Sequence, residues 1–486
     1  MRAMNRDRAW LRRGVALVLL SAGIGALPED SAHAQGVAAA NAAQPSRRDA
    51  KSETGMKIMA PFTVAAIGDI FAPQPVFREE AGFQKLVDTL RRADVAFANF
   101  ESSLVDFRLF NGPVGATVAP LEMGDSVKAL GIDLVNHANN QTFDGGLEGM
   151  VSTDSALDRL GIVHAGTGRN LQEARAARYL ETPKGRVGLV GMFSMDDSSN
   201  YGPNFLQTAA SYRLGNLAGA PGLNPLRLTA FHVVSAEQLQ SMKQTALGNY
   251  GDRPNSATPA EGGRPERFRY FDEWYEAGAD AGDVHYDMSP GDEKDIYQSI
   301  RNGKISADLL IATLHSHQTS TYRALGWGGV DHGVPDFLVR LAHGSIDAGA
   351  DLFVVHGVHA LRGVEIYNGK PVFYGVSSFI FQFGVKLGPG EDVLANEQLM
   401  AGLETPPNQE ALLTTTRFEN GRLAEVRLYP VYLGGSRLPI SQMGIPTTPA
   451  PEEAQRILRS VQEYSKPFGT KIAIENNVGV IRIDTR

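Results

Sequence analysis

This chain contains several short apolar runs that each end in polar or ionisable side chains, and few folds accommodate such a pattern. The runs are Phe62–Ile67, Val95–Ala98, Ile132–Val135, Asp308–Leu314 and Asp351–Val355. Runs of this length, separated by turn residues and amphipathic segments, are typical of buried strands in a parallel sheet. Ligands bind at the carboxyl ends of such strands in open α/β sheets. The sequence therefore predicts an α/β fold with a polar site along one sheet edge.

The polar side chains at the ends of these runs include many that can bind a metal ion. They are Asp69, Glu101, Asn140, the pair His315 and His317, and the pair His356 and His359. A histidine pair alone is more often structural than functional, and an Asn-rich turn commonly caps a helix. Their recurrence after several apolar runs favours a metal site over these separate explanations.

Composition narrows the chemistry of such a site. The chain of 486 residues is 43% hydrophobic and has no cysteine, so disulfides and thiolate metal ligands are excluded. Any metal must be bound by nitrogen and oxygen atoms. The formal charge of −8 argues against nucleic-acid binding, and an acidic partner would need a local cationic site.

The N-terminus predicts export. Five arginines within the first 13 residues precede the apolar run Gly14–Leu27, and Ala32-His33-Ala34 fits a cleavage site. We therefore expect residues 1–34 to be a signal peptide and residues 35–60 a flexible linker. The mature protein is expected to be periplasmic or secreted, and not an integral membrane protein after cleavage.

The rest of the chain is predicted to form one large domain over residues 61–468, followed by a C-terminal tail at 469–486. Residues from about 201 to 292 are rich in Pro, Gly and Asn and predict an insertion over the site. A hairpin around Asn420-Gly421 and a helix over Glu452–Tyr464 are predicted near the end of the domain.

Taken together, these motifs resemble the CapA (PgsA-like) family of capsule and poly-γ-glutamate synthesis proteins, in the calcineurin-like phosphoesterase superfamily. The motifs are Gly68-Asp69, Asn99-Phe100-Glu101, Asn139 through Gly146, His315-Ser316-His317, Gly349 through His359, and Glu365 through Tyr374. The resemblance spans roughly Phe62 to Phe468. It implies a two-sheet metallophosphoesterase-like sandwich flanked by helices, with a long insertion and a small C-terminal hairpin plus helix.

The resemblance also implies a site for two divalent metal ions. By position, Asp69 and His359 would hold the first ion, and Glu101 would bridge the two. The ligands of the second ion would be Asn140, His315 and His356. Manganese or zinc suits such an imidazole-rich set better than magnesium.

Three residues are candidates for catalytic roles. His317 is a further ligand or a proton donor, and Asp144 orients the ligands or Gln141. Gln141 stands where the family usually has a histidine that faces the leaving group, and Ser378 stands where it tends to have an asparagine. The departure at Gln141 puts general-acid catalysis in question, whereas the asparagine that Ser378 replaces has no known role.

The sequence also offers two arginines as substrate ligands and leaves two functions open. Arg323 and Arg362 are candidates for pairing with a substrate carboxylate or phosphate, the alternative being ordinary surface arginines. The resemblance implies a metal-dependent hydrolase of a phosphoester or a γ-glutamyl amide, acting with an anionic polymer or a small acidic substrate and with capsule-synthesis machinery. The alternative is a non-catalytic polymer-binding or assembly factor that uses the metals to hold carboxylates.

Overall fold

The structure is a computed structural model. It describes residues 55–76, 78–115, 117–196, 206–249, 257–258, 264–271, 273–322, 331–382, 406–434 and 444–483. The predicted signal peptide, most of the predicted linker and Arg323 lie outside the described residues.

The described residues form many strands and fewer helices. The strands are β1 Phe62–Phe71, β2 Val95–Phe100, β3 Ser103–Val105, β4 Val118–Pro120, β5 Leu134–Asn136, β6 Val163–Ala165, β7 Thr167–Gly168, β8 Arg178–Thr182, β9 Gly185–Asp196, β10 Gly222–Leu223, β11 Pro225–Val234, β12 Ala257–Thr258, β13 Arg267–Tyr270, β14 Glu273–Ala277, β15 Val284–Met288, β16 Leu309–Ser316, β17 Leu352–Gly357, β18 Val364–Tyr367, β19 Lys370–Phe373, β20 Ser378–Phe381, β21 Glu410–Glu419, β22 Arg422–Tyr432, β23 Ala473–Glu475 and β24 Val478–Arg482. The α-helices are α1 Ala81–Arg91, α2 Glu122–Leu130, α3 Gly146–Leu160, α4 Leu171–Arg175, α5 Ala236–Asn249, α6 Pro290–Ser306, α7 Asp336–Asp347 and α8 Pro451–Ser465.

Two large mixed sheets organise these elements. The first has the order β23-β24-β22-β21-β1-β2-β5-β6, with β20 pairing beside β1. The second has the order β12-β13-β14-β11-β9-β16-β17-β19-β18, with β15 on β11 and β8 on β9. Strands β1, β2, β5 and β6 run parallel in the first sheet, as do β9, β16, β17 and β19 in the second. The site predicted at strand ends thus draws on two parallel strand sets.

The apolar runs are continuous because both faces of each sheet are covered. In β1, Val64 and Ala66 enter an apolar cluster shared with residues of the second sheet, whereas Ala65 and Ile67 pack on the opposite side. Helices α1 to α3 cover the outer face of the first sheet, and α6 and α7 cover that of the second. These layers confirm the predicted α/β sandwich of two sheets flanked by helices.

Several local predictions are confirmed by element bounds. The C-terminal hairpin forms from β21 and β22, with Asn420 and Gly421 both at positive φ in the turn. The predicted helix over Glu452–Tyr464 corresponds to α8, whose buried side chains include Ile457, Leu458 and Val461. Burial of such side chains contributes roughly 1.5–3 kcal/mol each.

Two segments have more regular structure than their composition indicates. Within the 201–292 segment, the described residues supply the five strands β11 to β15 to the second sheet. Within the 469–486 segment, β23 and β24 extend the first sheet. Across the described ranges, no helix is long and apolar enough to cross a membrane.

Candidate metal centre

The predicted ligands converge where the parallel strands of both sheets end. Asp69 lies near the end of β1, Glu101 directly follows β2, and His315 and His356 lie near the ends of the adjacent strands β16 and β17. His315 and His356 are direct partners in the register of these two strands. The sheet geometry therefore brings together residues that are far apart in the sequence.

Asp69 is fully buried and accepts hydrogen bonds from two elements. Its Oδ1 accepts from Asn99 Nδ2 at 2.8 Å, and its Oδ2 accepts from the backbone N–H of Gly357 at 3.1 Å. Burial by itself raises the pKa of Asp69, but the hydrogen bond and charge of His359, the charge of His356 and the amide of Asn99 bring the pKa below its ordinary value. The carboxylate is thereby held in its charged form.

Asn99 connects several parts of the centre, although the sequence did not single it out as a site residue. Its Nδ2 also lies 3.0 Å from His315 Nδ1, and its Oδ1 accepts from Asn136 and Asn139 at 3.0 and 3.3 Å. Because an amide nitrogen is only a donor, His315 Nδ1 is the acceptor in this contact. The other ring nitrogen then faces His317 Nε2 at 3.0 Å and Glu101 Oε1 at 3.6 Å. The available sequence signal was its place at the end of the second apolar run, two residues before Glu101. Its place opposite Asp69 in the register of β1 and β2 is visible only in the structure.

The tautomer of His356 follows from Thr313, which the sequence analysis also missed. The hydroxyl of Thr313 donates to the carbonyl of Val354 at 2.9 Å and lies 2.8 Å from His356 Nε2. Since its one proton is used, the hydroxyl accepts from Nε2, and the lone pair of the imidazole is on Nδ1. That atom faces Asp69 Oδ1 at 3.7 Å and His315 Nδ1 at 3.3 Å. A lone pair directed at other acceptors suits a bound cation.

Burial keeps His315 and His356 neutral. Desolvation lowers the pKa of His356 to about 4. Desolvation, followed by the charges of His317, His356 and His359, holds the pKa of His315 well below its usual value. Neutral imidazole is the form that binds metals.

His359 is held by strand β20. Its Nδ1 lies 2.8 Å from Ser378 Oγ and 3.3 Å from Asp69 Oδ2, and its backbone adopts a φ of 52°. Positive φ is uncommon outside glycine and occurs often at functional sites. Because the carboxylate can only accept, Nδ1 carries the proton and Nε2 remains for a metal ion.

Glu101 and Asn140 carry buried oxygen atoms that other groups leave unsatisfied. Both carboxylate oxygens of Glu101 and Oδ1 of Asn140 have no hydrogen-bond partner among the described residues. Desolvation, then the charges of Asp69 and Asp144, raises the pKa of Glu101 well above its usual value. Buried polar atoms are normally paired, so three unpaired acceptors in one region indicate a site for a cation.

Gln141 and Asp144 form a hydrogen-bonded pair beside these acceptors. With its side-chain nitrogen oriented toward Asp144, Gln141 donates to the two carboxylate oxygens at 2.7 and 2.9 Å, and its oxygen accepts from Asn140 Nδ2 at 3.3 Å. Thr117 donates to Asp144 from both its backbone N–H and its hydroxyl, at 3.1 and 2.8 Å. This chain of contacts uses the Asn140 amide nitrogen and leaves its Oδ1 as the atom available for a ligand role.

His317 and Arg362 differ in their surroundings. His317 is partly exposed, and desolvation, followed by the charge of His359, lowers its pKa to about 3.

Arg362 is fully buried: its Nε donates to the Asp331 carbonyl at 3.2 Å and its Nη2 to the Gln318 carbonyl at 3.0 Å. Its Nη1 has no hydrogen-bond partner within the described ranges. Arg362 thus lies in the interior as an anchored cation.

Two glycines permit the close approach of the strands. A side chain at Gly68 would place its Cβ 1.6 Å from the Ser377 carbonyl oxygen. Gly357 has a φ of 109°, and a Cβ there would lie 2.8 Å from the Ser316 carbonyl oxygen and 3.0 Å from His315 Nε2. The backbone of β1 can therefore lie this close to the start of β20, and that of β17 this close to β16, only with glycine at these positions.

The ligand atoms form two adjacent groups that share no residue. Asp69, His315 and His356 each place one ligand atom within 4.8 Å of the others, and Glu101, His317 and His359 do the same. Nitrogen and oxygen donors of this kind fit divalent ions such as manganese or zinc. The groups touch each other through His359 with Asp69 and through His315 with Glu101. Which ligand holds which ion stays a prediction.

Comparison with known proteins gives the family. The sequence model of the family described as "Bacterial capsule synthesis protein PGA_cap" matches residues 63–383. The uncharacterized proteins y4sH and y4uA of Sinorhizobium fredii are each 33% identical over 468 residues, covering 90% of this chain and 96% of theirs. The PGA biosynthesis protein CapA of Bacillus subtilis is 32% identical over 96 residues, covering 20% of this chain and 22% of that protein. The chain belongs to the bacterial capsule synthesis protein family PGA_cap.

Proposed function

We propose that this protein is a metal-dependent hydrolase that acts in the synthesis or processing of a capsule polymer such as poly-γ-glutamate, outside the cytoplasm. The observation that carries the proposal is the group of unpaired acceptor oxygens on Glu101 and Asn140, buried near neutral histidines. Membership of the capsule synthesis family supports the class of polymer.

The residues that would hold two divalent ions are those predicted from the sequence. They are Asp69, Glu101, Asn140, His315, His356 and His359. When bound, such ions supply Lewis-acid chemistry toward a carbonyl or phosphoryl oxygen. The negative charge of Asp69 and the acceptors of Glu101 would keep the ions in place, and the buried histidines would remain neutral at pH 7.

Of the steps in such a hydrolysis, proton transfer to the leaving group is the one for which this chain has the fewest suitable side chains. The Gln141 amide carries no proton that it can give to a leaving group, and it is engaged with Asp144. His317 is neutral at pH 7 because its pKa is about 3, which suits a ligand or a proton acceptor. We propose that His317 fills one of these two roles.

An assay of metal-loaded protein against poly-γ-glutamate and a generic aryl phosphate tests this proposal. Cleavage of either substrate that is lost in Asp69→Asn and His356→Ala is the expected result. As a control, His343→Ala removes a histidine that pairs with Glu365 at 3.0 Å, outside the proposed ligand set, and should leave cleavage unchanged. Absence of cleavage by protein with confirmed metal content would contradict the hydrolase proposal.

The second candidate function is a non-catalytic factor that holds polymer carboxylates on the bound metals. The Gln141–Asp144 pair favours it, because it replaces a proton donor by a neutral hydrogen-bonded amide. The same assay separates the two functions with Gln141→His. Activity that appears only in this variant, together with polymer binding by the wild type, would support the binding role.

A further inference from the structure

A second group of metal-ligating side chains lies outside the centre described above. It consists of His137, directly after β5, Asp154 in α3 and His164 in β6, each with one ligand atom within 4.8 Å of the others. Strands β5 and β6 pair in parallel with Val135 opposite His164, and α3 connects them. One strand–helix–strand unit therefore supplies the whole group.

Asp154 Oδ1 is the point at which the group meets. His137 Nδ1 lies 2.7 Å from it, His164 Nδ1 lies 3.3 Å from it, and the Thr167 hydroxyl donates to it at 3.0 Å. Nitrogen and oxygen ligands lie about 2.0–2.2 Å from a zinc ion, so two ligands of one ion are roughly 3–3.5 Å apart. The three side chains are thus already close to the spacing that a shared ion requires.

The tautomer of His164 is fixed by a second carboxylate. Asp158 Oδ1 lies 3.2 Å from His164 Nε2, and because a carboxylate only accepts, Nε2 carries the proton. Asp158 follows Asp154 by four residues, so the two lie on the same face of α3. The lone pair of His164 is then on Nδ1, which faces Asp154 Oδ1. In most metal-binding histidines, the ring nitrogen that does not bind the metal carries a proton and donates a hydrogen bond to a carboxylate, a carbonyl or water.

One ring nitrogen of each histidine lacks the hydrogen-bond partner expected of a buried group. His164 is 10% exposed, yet its Nδ1 has no hydrogen-bond partner in the described part of the chain. His137 is fully buried, and its Nε2 also has none among those residues. Two acceptors that face each other, such as His164 Nδ1 and Asp154 Oδ1, repel unless a cation lies between them. Burial lowers the pKa of His164, which disfavours a proton in that role.

We propose that His137, Asp154 and His164 bind a transition-metal dication of the zinc class, in a site separate from the capsule-family centre. Two imidazoles and one carboxylate suit zinc or cobalt and not magnesium or calcium, which prefer oxygen ligands. Binding transfers the Nδ1 proton of His137 to Nε2 or to solvent. Asp154 and His164 line a groove of about 880 Å³, so a fourth ligand position is open to solvent or to a small ligand.

Metal counting on the full mature protein tests the proposal. Protein freed of metal by a chelator is dialysed against micromolar cobalt or zinc, and the bound ions per chain are counted by mass spectrometry. We expect His164→Ala and Asp154→Asn to bind one ion fewer than the wild type. The matched control His343→Ala removes a histidine that pairs with Glu365 and should bind as many ions as the wild type.

Two further variants show whether a lost ion belonged to the other centre and whether it was lost because the variant failed to fold. In a His356→Ala background, which weakens the first centre, adding His164→Ala should still remove one ion. Asp158→Asn changes a side chain that is 76% exposed, so the fold is retained, and affinity should fall about 10–100-fold. If ion counts are unchanged by His164→Ala in both backgrounds, or if Asp158→Asn binds as tightly as the wild type, the site does not exist as proposed.

Discussion

Replacement of Glu101 by glutamine should have opposite effects on the metal-free and the metal-loaded protein. In the absence of metal, Glu101 is a buried carboxylate with two unpaired oxygens near Asp69 and Asp144. A buried unsatisfied acceptor costs about 1–3 kcal/mol of stability, and a charged one more. The glutamine keeps the shape and adds an N–H₂ group that can donate to these neighbours. Metal-free Glu101→Gln should therefore be more stable than the wild type by about 1–3 kcal/mol at pH 8.

The raised pKa of Glu101 also fixes how the stability difference between the variant and the wild type changes with pH. Because the pKa of Glu101 is raised in the folded state, its contribution to stability is fully present below its ordinary pKa of 4.5 and is lost as pH rises through the folded pKa. The advantage of the variant should therefore vanish near pH 4.5 and grow toward pH 8. Added manganese or zinc should reverse the order, because it stabilises the wild type by about 2.7 kcal/mol at a hundredfold excess over Kd and the variant by less.

Urea denaturation of chelator-treated and metal-loaded protein at several pH values measures both effects. Glu365→Gln is a matched control, since its carboxylate is paired with His343 and Tyr374, and the change should destabilise both forms. A metal-free Glu101→Gln protein that is less stable than the wild type at pH 8 would refute the reasoning. So would a difference that does not change with pH.

Four other predictions concern the same region and the N-terminus. Gly68→Ala should lower the free energy of unfolding by at least about 1–3 kcal/mol, because its Cβ would lie 1.6 Å from the Ser377 carbonyl oxygen, whereas Gly291→Ala, whose Cβ would meet only Ser289 Oγ at 4.0 Å, should change it by less than about 0.5 kcal/mol in urea denaturation. Ser378→Ala should weaken metal binding about 10–100-fold in competition with a chelating dye, because it removes the nearer of the two partners of His359 Nδ1; equal affinity would contradict this role. Since the pKa values of His356 and His317 are about 4 and 3, protonation of these two rings should not lower metal affinity between pH 8 and 5, whereas the raised pKa of Glu101 predicts a loss of affinity on acidification that Glu101→Gln should not show in the chelating-dye assay; an equal pH dependence of the two proteins would contradict this. N-terminal sequencing of protein from a periplasmic or culture fraction should begin at Gln35, and an intact Met1 in the cytoplasm would overturn the predicted export.

The α/β architecture and the approximate position of the site could be predicted from the sequence. A strand that is buried on both faces of its sheet appears as an unbroken apolar run. Each strand core is continuously apolar, and the first polar side chain after it marks the carboxyl end. Helix α1 shows the same clarity, with Phe83, Leu86, Val87 and Leu90 buried at helical spacing. These signals are local, so no knowledge of the partner strand is needed to read them.

Contacts between distant segments could not be predicted from the sequence. The role of Asn99 depends on the register that sets it opposite Asp69, and a polar residue at a strand end gives no sign of its partner. Whether Arg362 is buried depends on Asp331, which belongs to a different segment. The strands of residues 225–288 join the second sheet although Pro and Gly are frequent in that part of the chain. Tertiary pairing overrides local propensity there.

The hydrogen bond from the Gly357 backbone to Asp69 joins two segments that the ribosome makes at very different times. Its two residues are 288 positions apart, and His359 needs a strand that begins at Ser378. The first ligand therefore emerges from the ribosome long before its partners exist, and a growing chain shorter than about 378 residues has only fragments of the centre. Capture of metal by the complete ligand set therefore follows synthesis of the chain through Ser378, and it reports that β1, β16, β17 and β20 have come together.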